Sequence, residues 1–334
     1  MIKLTLVVGV VIALSSCGPA SHDPAAEEQS SIAFPAAVVA PGQELALAAS
    51  VVFTEGPAAD AEGNVYFSEI TGNRILKYSP GAAWTVFREP SRRANGLAFD
   101  AAGRLVACEG AREGGGRQVT RTDLESGKVE VLVGSYEGKK LNSPNDLVVA
   151  KNGRIYFTDP RYGGQEGREL ETEDVYLIDT DGSVKRVATK PEIAKPNGLG
   201  LSPDQKTLYV ADTQPGPPRE ARVMKFDVRE DGGLENPRVH YSFGSGRGID
   251  GMTIDVEGNI YGAAGNNNNP PENHAGVYVI SPQGEVVGRI PVPEDAVTNC
   301  TFGGPELKTL FITAGKQLYA IRMKNSGLLT YPPL

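Results

Sequence analysis

The chain has 334 residues, 41 of them Asp or Glu and 33 Lys or Arg, for a formal net charge of −8. With no basic surface to neutralise phosphates, nucleic acid is excluded as a partner, and an acidic body is not drawn to anionic lipid beyond any covalent anchor. Three cysteines do not make a disulfide scaffold.

In chain order, Met1-Ile2-Lys3 is a short basic start, and residues 4–14 are an apolar run too short to span a bilayer. Leu14-Ser15-Ser16-Cys17 has the form of a bacterial lipobox. Residues 1–17 are therefore expected to be a lipoprotein signal peptide, with Cys17 as the lipid attachment point. The mature protein would be an exported lipoprotein, membrane-anchored and facing the periplasm or cell surface; the alternative is an ordinary cleaved signal with an incidental Cys17. Residues 18–44, rich in Ala, Pro, Ser and Glu, read as a flexible tether, 45–323 as one catalytic domain, and 324–334 as a tail.

The body repeats one pattern six times. Glu55 opens EGPAADAEGNVYFSE, Asn95 opens NGLAFDAAGRLVACE and Asn145 opens NDLVVAKNGRIYFTD. Asn197 opens NGLGLSPDQKTLYVAD, Asp250 opens DGMTIDVEGNIYGAA and Asn299 opens NCTFGGPELKTLFITA. A recurrence every 40 to 53 residues marks a solenoid, propeller or array. Each unit holds two β-rich runs around a Gly- or Asn-containing turn, and most are followed by a second hairpin, so four antiparallel strands per unit are expected. The fold predicted is all-β: a six-bladed β-propeller of four-stranded antiparallel blades. The last unit lacks a fourth run, and LALAASVV at 45–52 is expected to supply it and close the ring. Cys108 and Cys300 fall in strand-like runs and read as small buried hydrophobes.

Alternation of strands puts the six opening residues near the central channel at one face, beneath the long loops that follow Glu109, Asp159, Asp212 and Ala264. Glu55, Asn145, Asn197 and Asp250 then offer oxygen-only ligands suited to a hard cation, best Ca²⁺. Zinc fits poorly, because His22, His240 and His274 are not paired at ligand spacing. The same residues also suit Asx-type turns at blade entry, which need no metal, and both readings stand on the residues alone. Asn95 and Asn299 read as structural members, and Asp100 and Asp255 as turn formers on the other face. No GxSxG, HExxH or GxxxxGK[ST] motif occurs.

Taken together, FTEGPAAD, RRANGLAFDAAGRL, LNSPNDLVVAKNGRIYFTDPRYG, KPNGLGLSPDQKTLYVADT, DGMTIDVEGNIY and TNCTFGGPELKTLFIT make residues 50 to 322 resemble the gluconolactonase/senescence-marker-protein/luciferin-regenerating-enzyme-like family. The resemblance implies a divalent cation, usually Ca²⁺, at the top of the channel, with Zn²⁺, Mn²⁺ or Mg²⁺ as lesser alternatives. It places the metal ligands on Glu55, Asn145, Asn197 and Asp250. Asn145 is implied also to face substrate. The stretch ACEGAREGGGRQV lacks the His of the form ACEHGNRRV that the resemblance associates with many gluconolactonases, which bears on sugar contacts from this loop.

The function expected is metal-dependent hydrolysis of a sugar lactone such as glucono-1,5-lactone, with Asp250 as catalytic residue and Asp146 as a second candidate. Asn145, Arg161, Tyr162 and Arg117 are the expected substrate contacts, with Arg112 and Arg219 on neighbouring loops. The alternatives are an esterase or phosphotriesterase using the same metal site, or a non-catalytic propeller binding carbohydrate or protein.

Overall fold

The computed structural model describes residues 34–214 and 218–329. The leader, Cys17 and the tether up to residue 33 lie outside the described residues. Six four-stranded antiparallel sheets form the blades of a six-bladed β-propeller. The innermost strands are Thr54–Ala59, Ala94–Phe99, Leu147–Val149, Pro196–Leu201, Met252–Ile254 and Val297–Gly303 for blades 1 to 6. Among the described residues no helix is long and apolar enough to cross a membrane.

Local sequence explains each hairpin. In blade 2, Asp100 turns its carboxylate onto the amides of Ala102 and Arg104, both at 3.0 Å, while Gly103 takes φ +73°. That is an Asx-type turn closed by a residue without a Cβ penalty. Asp255 does the same in blade 5, accepting from Glu257 and Asn259 at 3.0 and 2.8 Å. Both acids are turn formers on the lower face, as expected.

The second strands, Val65–Glu69, Leu105–Glu109, Ile155–Asp159 and Ile260–Ala264, are buried at every position. A neighbouring blade covers each face of these strands, so they read as near-continuous apolar runs rather than alternating ones. Six hydrophobic clusters fill the six spaces between adjacent blades. Cys108 packs between blades 2 and 3 and Cys300 between blades 5 and 6, both as free thiols.

Ring closure follows the sequence expectation. Ala46–Ser50 pairs antiparallel with Gln317–Arg322, with Ala46 opposite Ala320 and Ser50 opposite Gln317. The N-terminal strand is thus the outer strand of blade 6. A chain deleted of residues 1–52 is expected to lose several degrees of melting temperature and to aggregate, because Gln317–Arg322 becomes an open edge. Differential scanning fluorimetry with light scattering checks this, and an unchanged melt would show that closure adds nothing.

The predicted tether and tail need correction at their inner ends. Val38 and Val39 are buried against blades 5 and 6, Val39 bridges Met323, and Lys324 donates its amide to the Val38 carbonyl at 2.9 Å. Two β-branched side chains in a run of Ala and Pro, with Phe34 beside them, supply the apolar surface that docks this segment. The tail also packs: Leu328 donates to Ile254 O at 2.8 Å, and Val256 donates to Ser326 O at 3.0 Å. Leu328 and Leu329 close the lower end of an apolar channel of about 100 Å³ that runs down from Asp146 and Asn299.

Candidate functional site

Each opening residue sits where its inner strand departs from regular pairing. The register shifts between Glu55 and Ala58, Ala94 and Leu97, Pro196 and Leu199, and Val297 and Asn299. In blades 3 and 5 the strand begins just after Asn145-Asp146 and Asp250-Gly251. A bulge re-aims one side chain without disturbing the rest of the strand. Here it turns the opening residues toward the axis at the upper face.

The backbone at this level is tied between blades 2 and 3, 4 and 5, and 5 and 6. Gly96 donates to Asn145 O, Gly198 to Asp250 O and Gly251 to Thr298 O, each at 2.7 Å. Glycine follows the opening residue in blades 1, 2, 4 and 5 because a Cβ has no room there. At Gly198 it would lie 2.5 Å from Asp250 O and 2.7 Å from Gly251 Cα. The repeated dipeptide was visible in the sequence; that it stitches the axis together was not.

Three carboxyl groups converge inside this ring, from blades 1, 3 and 5. Glu55 is buried, with one oxygen accepting from Gly56 N at 2.9 Å. Asp146 is buried, accepting from Leu147 N at 2.9 Å and from Asn299 Nδ2 at 3.1 Å. Asp250 takes Asn197 Nδ2 on one oxygen at 2.7 Å and Arg247 Nη2 on the other at 2.8 Å. Burial, then the nearby charge of Asp250, pushes the Glu55 carboxyl well above the usual carboxylate range. Asp146 is pushed up to about 7, chiefly by burial, with Asp250 adding to it. Burial raises Asp250 as well, against the opposing pull of Arg247 and Asn197.

This set explains the two outlying asparagines. Asn299 is structural: its amide nitrogen serves Asp146 and its oxygen accepts from Cys300 N at 2.8 Å. Asn95 instead lines a pocket of about 620 Å³ on the upper face, together with Asn145, Ser143, Arg112, Arg161 and Tyr162.

The arginines expected to meet substrate behave differently. Arg161 is buried, with Nε on Gly164 O, Nη1 on Asn142 O and Nη2 on Glu166 O. Arg117 places Nε on Leu141 O at 2.7 Å and Nη1 on Gly167 O at 2.8 Å. Both guanidiniums therefore fasten the long blade-3 loop that shapes the pocket, whose lining includes Arg161. A loop without regular pairing leaves carbonyls unsatisfied, and arginine, with five donors, is suited to collecting them. Arg219 likewise binds Ser245 O and Gly246 O. Arg112 is exposed at the pocket wall.

Tyr162 does reach the ring. Its aromatic face covers Lys195 Nζ at 4.7 Å, and its side chain interacts with Asn197. Desolvation first, and then Asp250, Glu173 and Asp212, raise the pKa of the phenol. That marks the hydroxyl as the inner, drier end of a residue that is 41% exposed as a whole.

Arg247 carried no signal in the sequence, standing alone in GSGRGID. It is the guanidinium that meets Asp250, and its second branch is spent on Val297 O and Gly265 O. Among the described residues no three His, Cys, Asp or Glu side chains are grouped as a ligand set on their own. The donors here are carboxylates supplemented by amides.

The comparison with known proteins agrees with this architecture. The pattern described as "SMP-30/Gluconolactonase/LRE-like region" matches residues 53–316. A gluconolactonase of Zymomonas mobilis is 30% identical over 308 residues, covering 84% of this chain and 81% of its own. A solved gluconolactonase from Xanthomonas campestris is 33% identical, with a TM-score of 0.72 over 85% of this chain and 91% of its own. A calcium-binding regucalcin from Agrobacterium tumefaciens shares the fold at 20% identity, with a TM-score of 0.67 over 87% of this chain and 97% of its own. With the family pattern spanning most of the body and these relatives matched along nearly their full length, the chain belongs to the SMP-30/gluconolactonase/LRE-like family.

Proposed function

We propose that this protein is a lactone hydrolase whose upper ring holds a divalent cation, best Ca²⁺, on Glu55, Asn145, Asn197 and Asp250. One observation carries the reading: Asp250, paired to Arg247, lies near enough to Glu55 and Asp146 for its charge to act on both. Fully ionised, the three carboxylates would exceed the one guanidinium by two negative charges in a buried place, and their raised pKa values reflect that cost. Such an excess is costly unless a counter-ion of matching charge joins it. Oxygen donors of this kind suit a hard cation. The gluconolactonases of Zymomonas mobilis and Xanthomonas campestris support the reaction class, and the calcium-binding regucalcin supports the choice of cation.

A cation held there would supply positive charge near a carbonyl oxygen that becomes negative as water adds. The protein's own groups do the remainder. Asp250 takes the proton of the attacking water, its carboxylate fixed in one orientation by Asn197 and Arg247. Asn95, Asn145 and the Ser143 hydroxyl line the pocket and can meet sugar hydroxyls. Tyr162 stands over the ring and narrows its access to water.

The test is hydrolysis of glucono-1,5-lactone, followed with a pH indicator in weak buffer, with chelator and with Ca²⁺ restored. Chelation is expected to reduce turnover to the spontaneous rate and Ca²⁺ to restore it. Because burial raises both ligand carboxyls, protons compete with the cation, and Ca²⁺ affinity is expected to weaken as pH falls. Full turnover in chelator would overturn the metal centre. Bound metal without lactone turnover would move the reaction to other esters or phosphotriesters.

A further inference from the structure

Blades 3 and 4 share a device that the other blades lack. In blade 3 the last residue of the second strand, Asp159, reaches back to the loop ahead of the inner strand. Its two oxygens accept from Asn142 N and Ser143 N, both at 2.7 Å. In blade 4 the equivalent residue, Asp212, accepts from Ala194 N at 2.9 Å and Lys195 N at 2.7 Å through one oxygen. The amides held stand three and two residues before Asn145 in one case, and three and two residues before Asn197 in the other. Both carboxyls are buried.

The corresponding acids of blades 1 and 2 do something else. Glu69 takes Gly72 N and Arg74, and Glu109 takes Arg88, Gln118 and Thr120. Blades 5 and 6 carry Ala264 and Ala314 at this place. The double amide clamp therefore occurs on the two blades that present an asparagine to the proposed cation.

From this coincidence we infer that Asp159 and Asp212 are positioning residues that fix Asn145 and Asn197 for cation binding. The inference rests on the metal reading above and adds to it the layer behind two of the ligands. The physical need is specific to amides. A neutral amide oxygen attracts a cation less than a carboxylate does, so any freedom in its backbone is paid in affinity. Two hydrogen bonds from consecutive amides to one carboxyl remove that freedom at the loop entering the strand. The Arg222 fork on the other oxygen of Asp212, at 3.1 and 3.0 Å, holds that clamp in turn.

The experiment uses the full chain carrying Asp159→Asn or Asp212→Asn, with Glu109→Gln as control. In Asp159→Asn the new amide group must face Asn142 N or Ser143 N, and in Asp212→Asn it faces the Arg222 fork that holds the clamp. Isothermal titration with Ca²⁺ is expected to show a Kd about 10–100-fold weaker for each of the first two variants. Glu109→Gln, at the same strand end without the clamp, is expected to melt earlier yet bind Ca²⁺ within about twofold of wild type, since its carboxyl holds no loop amide. In the metal-free protein, the side-chain amide NMR signals of Asn145 should broaden in Asp159→Asn and those of Asn197 in Asp212→Asn. A wild type that binds no Ca²⁺ while these signals still broaden would remove the metal reading and keep the positioning role. Unchanged amide signals with an unchanged Kd, or a Kd that weakens equally in Glu109→Gln, would overturn the inference. The two variants sit on different blades, so loss of fold in one leaves the other to decide.

Discussion

Replacing Asp250 by Asn is expected to lower kcat/KM for glucono-1,5-lactone by about 10²–10⁴-fold, the range that a positioned acid or base contributes. The substitution keeps the volume of the side chain and removes both its charge and its capacity to hold a proton. It also breaks a pair of hydrogen bonds that only a carboxylate can accept together: Asn197 donates to one oxygen and Arg247 to the other. An amide must point its own donor at one of them. Stability should move the other way or not at all. In the metal-free protein, burial holds the Asp250 carboxyl above its ordinary range, and its charge in turn raises Glu55 and Asp146. Removing a buried acid whose pKa is raised removes a group that costs free energy when ionised near neutral pH. A melt in chelator is therefore expected at or above the wild-type temperature, beside an activity close to background. More than a tenth of wild-type kcat/KM would exclude Asp250 from the chemistry, and a large drop in the melt would make its role structural.

Replacing Gly56 by Ala is expected to cost roughly 3 kcal/mol or more of unfolding free energy, from overpacking and left-handed strain together. Gly56 takes φ +34°, and a Cβ built there lies 2.1 Å from Asn95 O and 2.6 Å from Gly96 Cα. Both obstructing atoms are backbone, so no side chain can swing aside. Blades 1 and 2 would have to separate at the axis, and Glu55, one residue away, would move with its blade. Gly81→Ala separates the two contributions. Gly81 also has positive φ, at +79°, but a Cβ there meets nothing within 4 Å. It should cost only about 1–2 kcal/mol, the strain of a left-handed residue. Denaturant unfolding of both variants measures the difference, and equal costs would mean that the axis relaxes freely around an added methyl group.

These two positions mark where sequence reading succeeds and where it stops. Asp250 was legible because the repeat gives an internal alignment: six units open on an acid or amide, and a strand that starts there must carry its first side chain to the same place in every blade. The closing strand was legible for the same reason, since a sixth unit without a fourth run calls for one from elsewhere, and Ala46–Ser50 supplies it. The turn acids Asp100 and Asp255 were legible because their partners lie within four residues. Period and local hydrogen bonding are properties of the chain itself.

The loop contacts of Arg161 and Arg117 were not legible in the sequence, and the reason is geometric. A guanidinium on a long loop can reach substrate or the carbonyls of its own loop, and nothing in PRYGGQEGR decides between them. Only the folded path shows Arg161 gathering Gly164 O, Glu166 O and Asn142 O. Arg247 was not singled out at all, because its importance lies in meeting Asp250 and Val297 O, the latter 50 residues away. The docking of Val38 and Val39 was missed because their apolar contacts are with blades from the far end of the chain.

By itself the sequence determined the blade count, the strand that closes the ring and the polar residues standing at its upper rim, because these follow from paired β-rich runs around tight turns and a repeat between blades. Tertiary structure alone decided that acids from alternate blades converge with Arg247 on one axis, which arginines are consumed by their own loops, and that Asp159 and Asp212 grip the segments ahead of Asn145 and Asn197. Those depend on how loops and inner strands are brought together, some across blades and some within one loop, and the chain's pattern does not state those paths.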